Sequence, residues 1–204
     1  METAALVTAF VTIFVVIDPI GLTPMFVALT QGIEPRARRA IAMRACLISI
    51  GVLTVFGLLG EALLGFLGIS MAAFRIAGGL LLFLTALDML FERRVKSRED
   101  QADDDAPDPS VFPLATPLIA GPGAIASVIL LVGQAEFPLE VLAILLVMAG
   151  VVACAFILFL GAGLLERALG RTGINVVTRL LGMLLAALSV QFVLDGLSAF
   201  GIGS

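Results

Sequence analysis

Two stretches rich in proline and glycine interrupt apolar segments of this chain, and they hold the residues best suited to chemistry. The first is Asp18-Pro19-Ile20-Gly21-Leu22-Thr23-Pro24, and the second is Thr116-Pro117-Leu118-Ile119-Ala120-Gly121-Pro122-Gly123. In each stretch a polar capping residue precedes a proline, and a second proline follows five positions after the first. Because proline removes a backbone donor and glycine lowers helix propensity, each stretch predicts a broken helix.

A broken helix of this kind offers a binding site made mostly of backbone groups. An Asp or Thr side chain caps free amides, and proline is well accepted at the first helical position. Helix is therefore predicted to resume at Pro19 in the first stretch and at either Pro117 or Pro122 in the second. The amides of a helix N-terminus suit a carboxylate, whereas carbonyls in the gap suit an ammonium group or a cation.

The predicted ligand is therefore a small zwitterion, held at two breaks near the membrane midplane. Asp18 fits a capping role alone as well as direct contact with an ammonium group. Glycine leaves little bulk near the breaks, so a ligand can approach the backbone. The predicted substrate-binding residues are Asp18, Pro19, Gly21, Pro24, Thr116, Pro117, Gly121, Pro122 and Gly123.

The composition places both breaks inside an integral membrane protein. Of the 204 residues, 60% are hydrophobic and 14% charged, and the mean hydropathy is +1.15. Soluble domains carry about 25% charged residues. Histidine is absent, which removes the commonest general base and a common metal ligand. Cys46 and Cys154 lie in apolar runs and are expected to be buried hydrophobes rather than disulfide or metal ligands.

Apolar runs of membrane-spanning length predict six helices. The first run follows Met1-Glu2-Thr3, which has no basic region before it, so it is expected to remain as a span rather than be cleaved. The six runs cover roughly residues 4–30, 41–60, 69–91, 111–133, 139–164 and 174–200.

The basic residues between the runs predict the orientation. They occupy the first, third and fifth connections and are absent from the second and fourth. Positive charge stays on the cytoplasmic side, so both termini are predicted to face outward. The clusters are Arg36, Arg38, Arg39 and Arg44; Arg93, Arg94, Lys96 and Arg98; and Arg167 and Arg171.

The two halves of the chain read as copies of one three-helix unit. Arg75-Ile-Ala-Gly78 matches Arg179-Leu-Leu-Gly182, and the two breaks occupy matching positions in runs one and four. Three spans are an odd number, so the second copy must insert inverted, as is usual in secondary transporters. Arg75 and Arg179 are then expected near opposite surfaces, as structural or gating charges.

The predicted division of the chain follows from this repeat. Residues 1–91 form the first three-helix repeat and residues 111–204 the second, inverted one. Residues 92–110 form an acidic cytoplasmic linker that lacks core-forming residues and is expected to act as a mobile tether.

Several motifs resemble the MarC-related family of bacterial inner-membrane proteins, placed near the lysine-exporter superfamily. They are Asp18-Pro-Ile-Gly21 with Pro24 and Phe26, Phe66-Leu-Gly-Ile-Ser70 leading into Phe74-Arg-Ile-Ala-Gly-Gly79, and Ala115-Thr-Pro-Leu-Ile-Ala-Gly-Pro-Gly-Ala-Ile125. The resemblance covers essentially the whole chain. It implies six spans in two inverted halves and transport of small neutral amino acids such as glycine and alanine. One position departs from the family pattern: Leu22 stands where an asparagine often follows the glycine.

The sequence therefore favours a secondary transporter of small neutral amino acids in the bacterial inner membrane, working by alternating access. Coupling to H⁺ or Na⁺ is expected to involve Asp18. No cofactor, metal or nucleic acid is expected. An exporter of another small solute, a membrane protein with a structural or assembly role, and a passive channel are the alternatives. An enzyme is disfavoured because the chain has no histidine, no G-x-S-x-G and no P-loop lysine.

Overall fold

A computed structural model describes residues 3–91 and 108–201 of the chain. Most of the predicted acidic linker lies outside these residues. Within them every regular element is a helix: α1 (Thr3–Ile17), α2 (Pro19–Leu29), α3 (Pro35–Phe66), α4 (Met71–Leu90), α5 (Ser110–Ile119), α6 (Pro122–Val132), α7 (Pro138–Leu160) and α8 (Ala162–Ala199).

The helices are long and apolar enough to cross a membrane, as the composition predicts. Five candidate spans are unbroken by sharp bends, and α5 with α6 forms a sixth if this pair, bent by 55°, is counted as one span. The count of up to six agrees with the six apolar runs. The candidate spans are Ala4–Leu29, Pro35–Phe66, Met71–Leu90, Pro138–Leu160 and Thr172–Ala199.

The two predicted breaks differ in kind. Between α1 and α2 only Asp18 leaves the helical conformation, with φ 53 and ψ 62. The Asp18 amide still donates to Phe14 O, and Leu22 N donates to Asp18 O, both at 2.9 Å. The first interruption is therefore a single left-handed residue within one continuous span. The second is a bent pair whose first member, α5, is irregular and contains extended residues at Phe112 and Thr116.

Contacts at the two ends of α3 fix the directions of the helices. Near its start, Arg44 Nη1 lies 3.4 Å from Asp108 Oδ2, two residues before α5 begins. Just beyond its end, the Met71 side chain at the start of α4 lies against Gly133, which follows α6. We call the end of the bundle near Arg44 and Asp108 the linker end, and the opposite end the N-terminal end. The first span leads into α3 at the linker end, so α1 starts at the N-terminal end, where α6 finishes.

Asp108 secures the start of α5 at the linker end. Ser110 donates to Asp108 Oδ1 from its hydroxyl at 2.6 Å and from its amide at 3.0 Å. These two bonds are the main reason that the pKa of Asp108 lies below its ordinary value, and the nearby Arg44 guanidinium lowers it further. A lowered folded-state pKa means that the contact stabilises the fold at neutral pH and loses its effect as the pH falls through that pKa.

Glycines let α4 and α8 pack backbone to backbone, as antiparallel neighbours. A β-carbon on Gly79 would lie 2.8 Å from Ser189 O, and one on Gly196 would lie 3.0 Å from Ala72 O. At the other end of the pair, a β-carbon on Gly182 would lie 3.0 Å from Met89 Cβ. In lipid, where apolar surface gains little from leaving its solvent, such close approach supplies the attraction between helices.

Gly79→Ala is therefore expected to destabilise the protein by about 1–3 kcal/mol, because the new methyl group meets backbone that cannot rotate away. Thermal unfolding in detergent micelles measures the change. Gly51→Ala is the matched control, since its β-carbon meets no atom within 4 Å. Because alanine has a higher helix propensity than glycine, Gly51→Ala is expected to keep or gain stability. A gain or no change in Gly79→Ala would mean that the α4–α8 contact does not require glycine.

Further contacts join the two halves of the chain crosswise. The second span of the first half is α3, and it packs against α5 and α6. The second span of the second half is α7, and it packs against α1 and α2. Gly57 and Gly60 of α3 lie against Val128 and Ile129 of α6. Each interrupted span is therefore enclosed by helices of the other half.

Candidate functional site

Asp18 forms the centre of the first break. Asp18 is 1% exposed, and its Oδ1 accepts a hydrogen bond of 3.0 Å from the Gly21 amide. Pro19 occupies the first helical position of α2, as the Asp-Pro pair predicts. The side chain thus caps α2 from inside the bundle, and a buried carboxylate lies within a membrane-spanning segment, where carboxylates are costly and usually functional.

Gly21 leaves room for two polar groups that come from different spans. A β-carbon at Gly21 would overlap Asp18 Oδ2 and would lie 2.9 Å from Thr178 Oγ1 of α8. The Thr178 hydroxyl is buried and has no hydrogen-bond partner among the described residues. A carboxylate oxygen and a free hydroxyl therefore face the same small space, which only glycine at position 21 leaves open.

The other residues of the first stretch contribute to the structure of α2 and its packing. Pro24 has no amide to donate to Ile20 O, and its side chain is exposed. Thr23 Oγ1 donates to Pro19 O at 2.9 Å, which satisfies the neighbouring carbonyl. Leu22, at the position that departs from the family pattern, is 0% exposed and packs in the apolar core.

In the second stretch the structure selects one of the two predicted registers. Thr116 is extended, with φ −130 and ψ 123, so Thr116-Pro117 does not start a regular helix. Helix resumes at Pro122, with Gly121 in the capping position, and the first bond runs from Ile125 N to Gly121 O at 2.9 Å. Among the residues that the structure describes, no side chain caps α6. The first amide N–H groups of α6 are therefore available to donate hydrogen bonds to an anion.

Close packing holds the second break in place. A β-carbon on Gly121 would lie only 2.5 Å from Pro117 O, so the tight bend of the chain at this point requires glycine. Ala115 O accepts from Ala120 N at 2.8 Å, and the Ser49 hydroxyl of α3 lies 3.4 Å from the same carbonyl. The backbone of the break is therefore supported by the first half of the chain.

The two breaks lie next to each other at Gly123. A β-carbon on Gly123 would be 3.3 Å from Val16 Cγ1, two residues before Asp18, and 3.2 Å from Leu82 Cδ2. Both Gly123 and Val16 are buried. The capped start of α2 and the uncapped start of α6 thus lie close together inside the bundle, on either side of this contact.

The two intramembrane arginines lie in α4 and α8. Arg75 is in the first turns of α4 and Arg179 is in α8, at opposite ends of the antiparallel α4–α8 pair. The Arg75 Nε is buried without a hydrogen-bond partner among the described residues, whereas the Arg179 side chain is exposed.

Sequence reasoning missed Thr178. A lone threonine one position before Arg179 in an apolar run carries no signal of its own. Its position beside Gly21 depends on how α8 packs against α2, which no local pattern predicts.

Apolar helices of bilayer-spanning length, with a buried carboxylate and interrupted backbone between them, define a multi-pass helical membrane protein. The chain belongs to the MarC family of integral membrane proteins, whose model matches residues 3–200. It is 32% identical over 200 residues to a UPF0056 membrane protein of Methanocaldococcus jannaschii, covering 97% of this chain and 98% of the relative.

Two further relatives come from a bacterium and an archaeon. The UPF0056 inner membrane protein YhgN of Escherichia coli is 35% identical over 196 residues, covering 94% of this chain and 95% of its own. A UPF0056 membrane protein of Archaeoglobus fulgidus is 36% identical over 193 residues, covering 93% and 91% of the two chains. No solved structure matches the chain.

Proposed function

We propose that this protein is a secondary transporter of small neutral amino acids, such as glycine and alanine, and not an enzyme. The observation that carries the proposal is the pairing of the buried Asp18 carboxylate with the uncapped N-terminus of α6 inside the bundle. The two groups have opposite electrostatic character and come from opposite halves of the chain. A zwitterion carries one charge of the sign that each group attracts.

The chemistry of the two breaks supports one orientation of the ligand. Its ammonium group would meet Asp18 Oδ2 and the Thr178 hydroxyl, next to Gly21. Its carboxylate would meet the first amides of α6 beyond Gly121, where the helix dipole favours negative charge. The apolar neighbours Val16 and Leu82 favour a small uncharged side chain on the ligand.

The architecture supports alternating access. We propose that α1–α4 and α5–α8 are two inverted repeats whose interrupted spans meet near the membrane midplane. The crosswise packing, in which α3 encloses one break and α7 the other, is the pattern that a pseudo-two-fold axis produces. Rocking of one half against the other would expose the breaks to each side in turn.

The proposed setting is the bacterial inner membrane, with both termini outside. Escherichia coli YhgN is described as an inner membrane protein, and the basic connections of this chain favour a cytoplasmic linker end. Coupling to H⁺ or Na⁺ would act through Asp18, which is the buried carboxylate closest to both breaks in the part of the chain that the structure describes.

The experiment that tests this function combines binding and transport. Glycine, alanine and serine are expected to raise the thermal stability of the purified protein, by about 2.7 kcal/mol at a concentration of 100 Kd. The same amino acids should exchange with labelled glycine in proteoliposomes, in a manner that depends on an imposed H⁺ or Na⁺ gradient. Protein-free liposomes and a dicarboxylic amino acid are the controls. Absence of both a stability shift and exchange across the panel would overturn the proposal.

A further inference from the structure

Besides Thr178, two more buried hydroxyls lack the bond that other hydroxyls of this bundle make. Thr23, Thr30 and Ser49 each donate to the carbonyl four residues earlier, at 2.6–2.9 Å. Thr12 of α1 is 1% exposed and Ser127 of α6 is 0% exposed, yet neither hydroxyl has a partner among the described residues. An unpaired buried hydroxyl is costly, and in a membrane span the bond to the preceding turn is the ready remedy.

Helix geometry places these two hydroxyls at the same level. Val16 of α1 lies against Gly123 of α6, and the two helices run in opposite directions. Thr12 is one turn before Val16, and Ser127 is one turn after Gly123, so each lies on the face of its helix that carries the contact. Four residues rise about 6 Å in either helix, so both hydroxyls lie one turn beyond the breaks towards the N-terminal end.

The interface between α1 and α6 separates the breaks from the N-terminal end of the bundle. The residues that follow the two hydroxyls in the chain, Ile13 of α1 and Val128 of α6, are apolar and both 0% exposed. A dry interface would gain nothing from unpaired hydroxyls. Their presence is understandable if the interface opens during the working cycle and water or a polar solute then supplies their hydrogen bonds.

We infer that Thr12 and Ser127 form a polar subsite through which the zwitterionic solute passes between Asp18 and the N-terminal end of the bundle. This inference rests on the proposed transport function and adds the route on one side of the membrane. The hydroxyls donate to the solute carboxylate and accept from its ammonium group. The solute contacts them transiently as it passes. In the structure described, α1 and α6 are packed together and the route is closed.

Cysteine labelling tests the subsite in the full-length protein. Thr12→Cys and Ser127→Cys are made in a background with Cys46→Ala and Cys154→Ala, alongside the matched controls Ile13→Cys and Val128→Cys. An impermeant methanethiosulfonate reagent is added to whole cells or to inside-out vesicles. Since only a thiolate in contact with water reacts, labelling reports hydration and not exposure to lipid.

The two hydroxyl positions are expected to react at least about tenfold faster than the two controls, from the side of the membrane that faces the N-terminal end. Saturating glycine or alanine should slow the reaction severalfold. Labelling of all four positions at the same slow rate would overturn the inference, as would reaction only from the linker side. Fast labelling that no transported solute slows would also overturn it, because the opened space would not be the route of the solute.

The outcome is separable from that of the proposed function. If no amino acid binds or exchanges, transport itself fails, whatever the labelling rates. If amino acids exchange normally and neither hydroxyl position is labelled, transport stands and this route is wrong. Thr12→Val and Ser127→Ala provide a second readout: uptake is expected to fall severalfold, with recovery in Thr12→Ser and Ser127→Thr, which restore a hydroxyl.

Discussion

Replacement of Gly21 by alanine is expected to weaken amino acid binding by at least about tenfold, equivalent to about 1.4 kcal/mol, and to reduce transport accordingly. The added β-carbon would occupy the space between Asp18 Oδ2 and Thr178 Oγ1. Both groups would have to move, and the space proposed for the ammonium group would be filled by a methyl group. Binding isotherms from ligand-induced thermal stabilisation measure the affinity, and proteoliposome exchange measures the rate.

Gly150→Ala is the matched control for this variant. Gly150 is also a glycine within a membrane-spanning helix, but a β-carbon there meets no atom within 4 Å. Its affinity is expected to equal that of the unmodified protein. Wild-type affinity in Gly21→Ala would show that the space beside Asp18 does not hold the ligand, and the site would have to be sought elsewhere in the bundle.

Local sequence signals predicted the cap in the first stretch. Asp18 before Pro19 is a helix-start pair, and the structure has both residues in those roles. Local signals did not predict that the interruption would be limited to one left-handed residue, with backbone bonds continuing on both sides. Whether a helix stops or only shifts at such a pair depends on the packing of both flanks, and α7 and α8 flank this one.

The second break and the last span show where local signals were insufficient. Thr116-Pro117 and Gly121-Pro122 offer equivalent starts in the sequence, and the structure distinguishes them by the extended backbone of Thr116 and the close approach of Gly121 to Pro117 O. The predicted sixth run, residues 174–200, agrees with the candidate span Thr172–Ala199. The predicted gap before it, residues 165–173, is helical on both sides of Gly170, which is non-helical with φ 62 and ψ 173 and forms a kink between two helical stretches of α8. Local signals did not predict helix in this polar connection.

The function of Asp18 can be divided into a cap and a charge, because asparagine preserves one and removes the other. Asp18→Asn retains an oxygen for the Gly21 amide, and asparagine tolerates the left-handed backbone that residue 18 adopts. Stability in the absence of ligand is therefore expected to stay within about 0.5 kcal/mol of the unmodified protein. Transport is expected to fall by about 100-fold, since the proposed ammonium group or coupling ion loses its negative partner, a loss of about 2.7 kcal/mol.

Asp18→Ala completes the comparison, because alanine supplies neither the cap nor the charge and is strained at positive φ. It is expected to lose about 1–2 kcal/mol of stability in addition to transport. Thr178→Val, which removes the neighbouring hydroxyl but keeps the side-chain shape, should leave stability unchanged and weaken binding severalfold. If Asp18→Asn exchanges glycine at the normal rate and only Asp18→Ala fails, then the carboxylate serves the fold alone. The ammonium group of the ligand would then be bound by backbone carbonyls at the breaks.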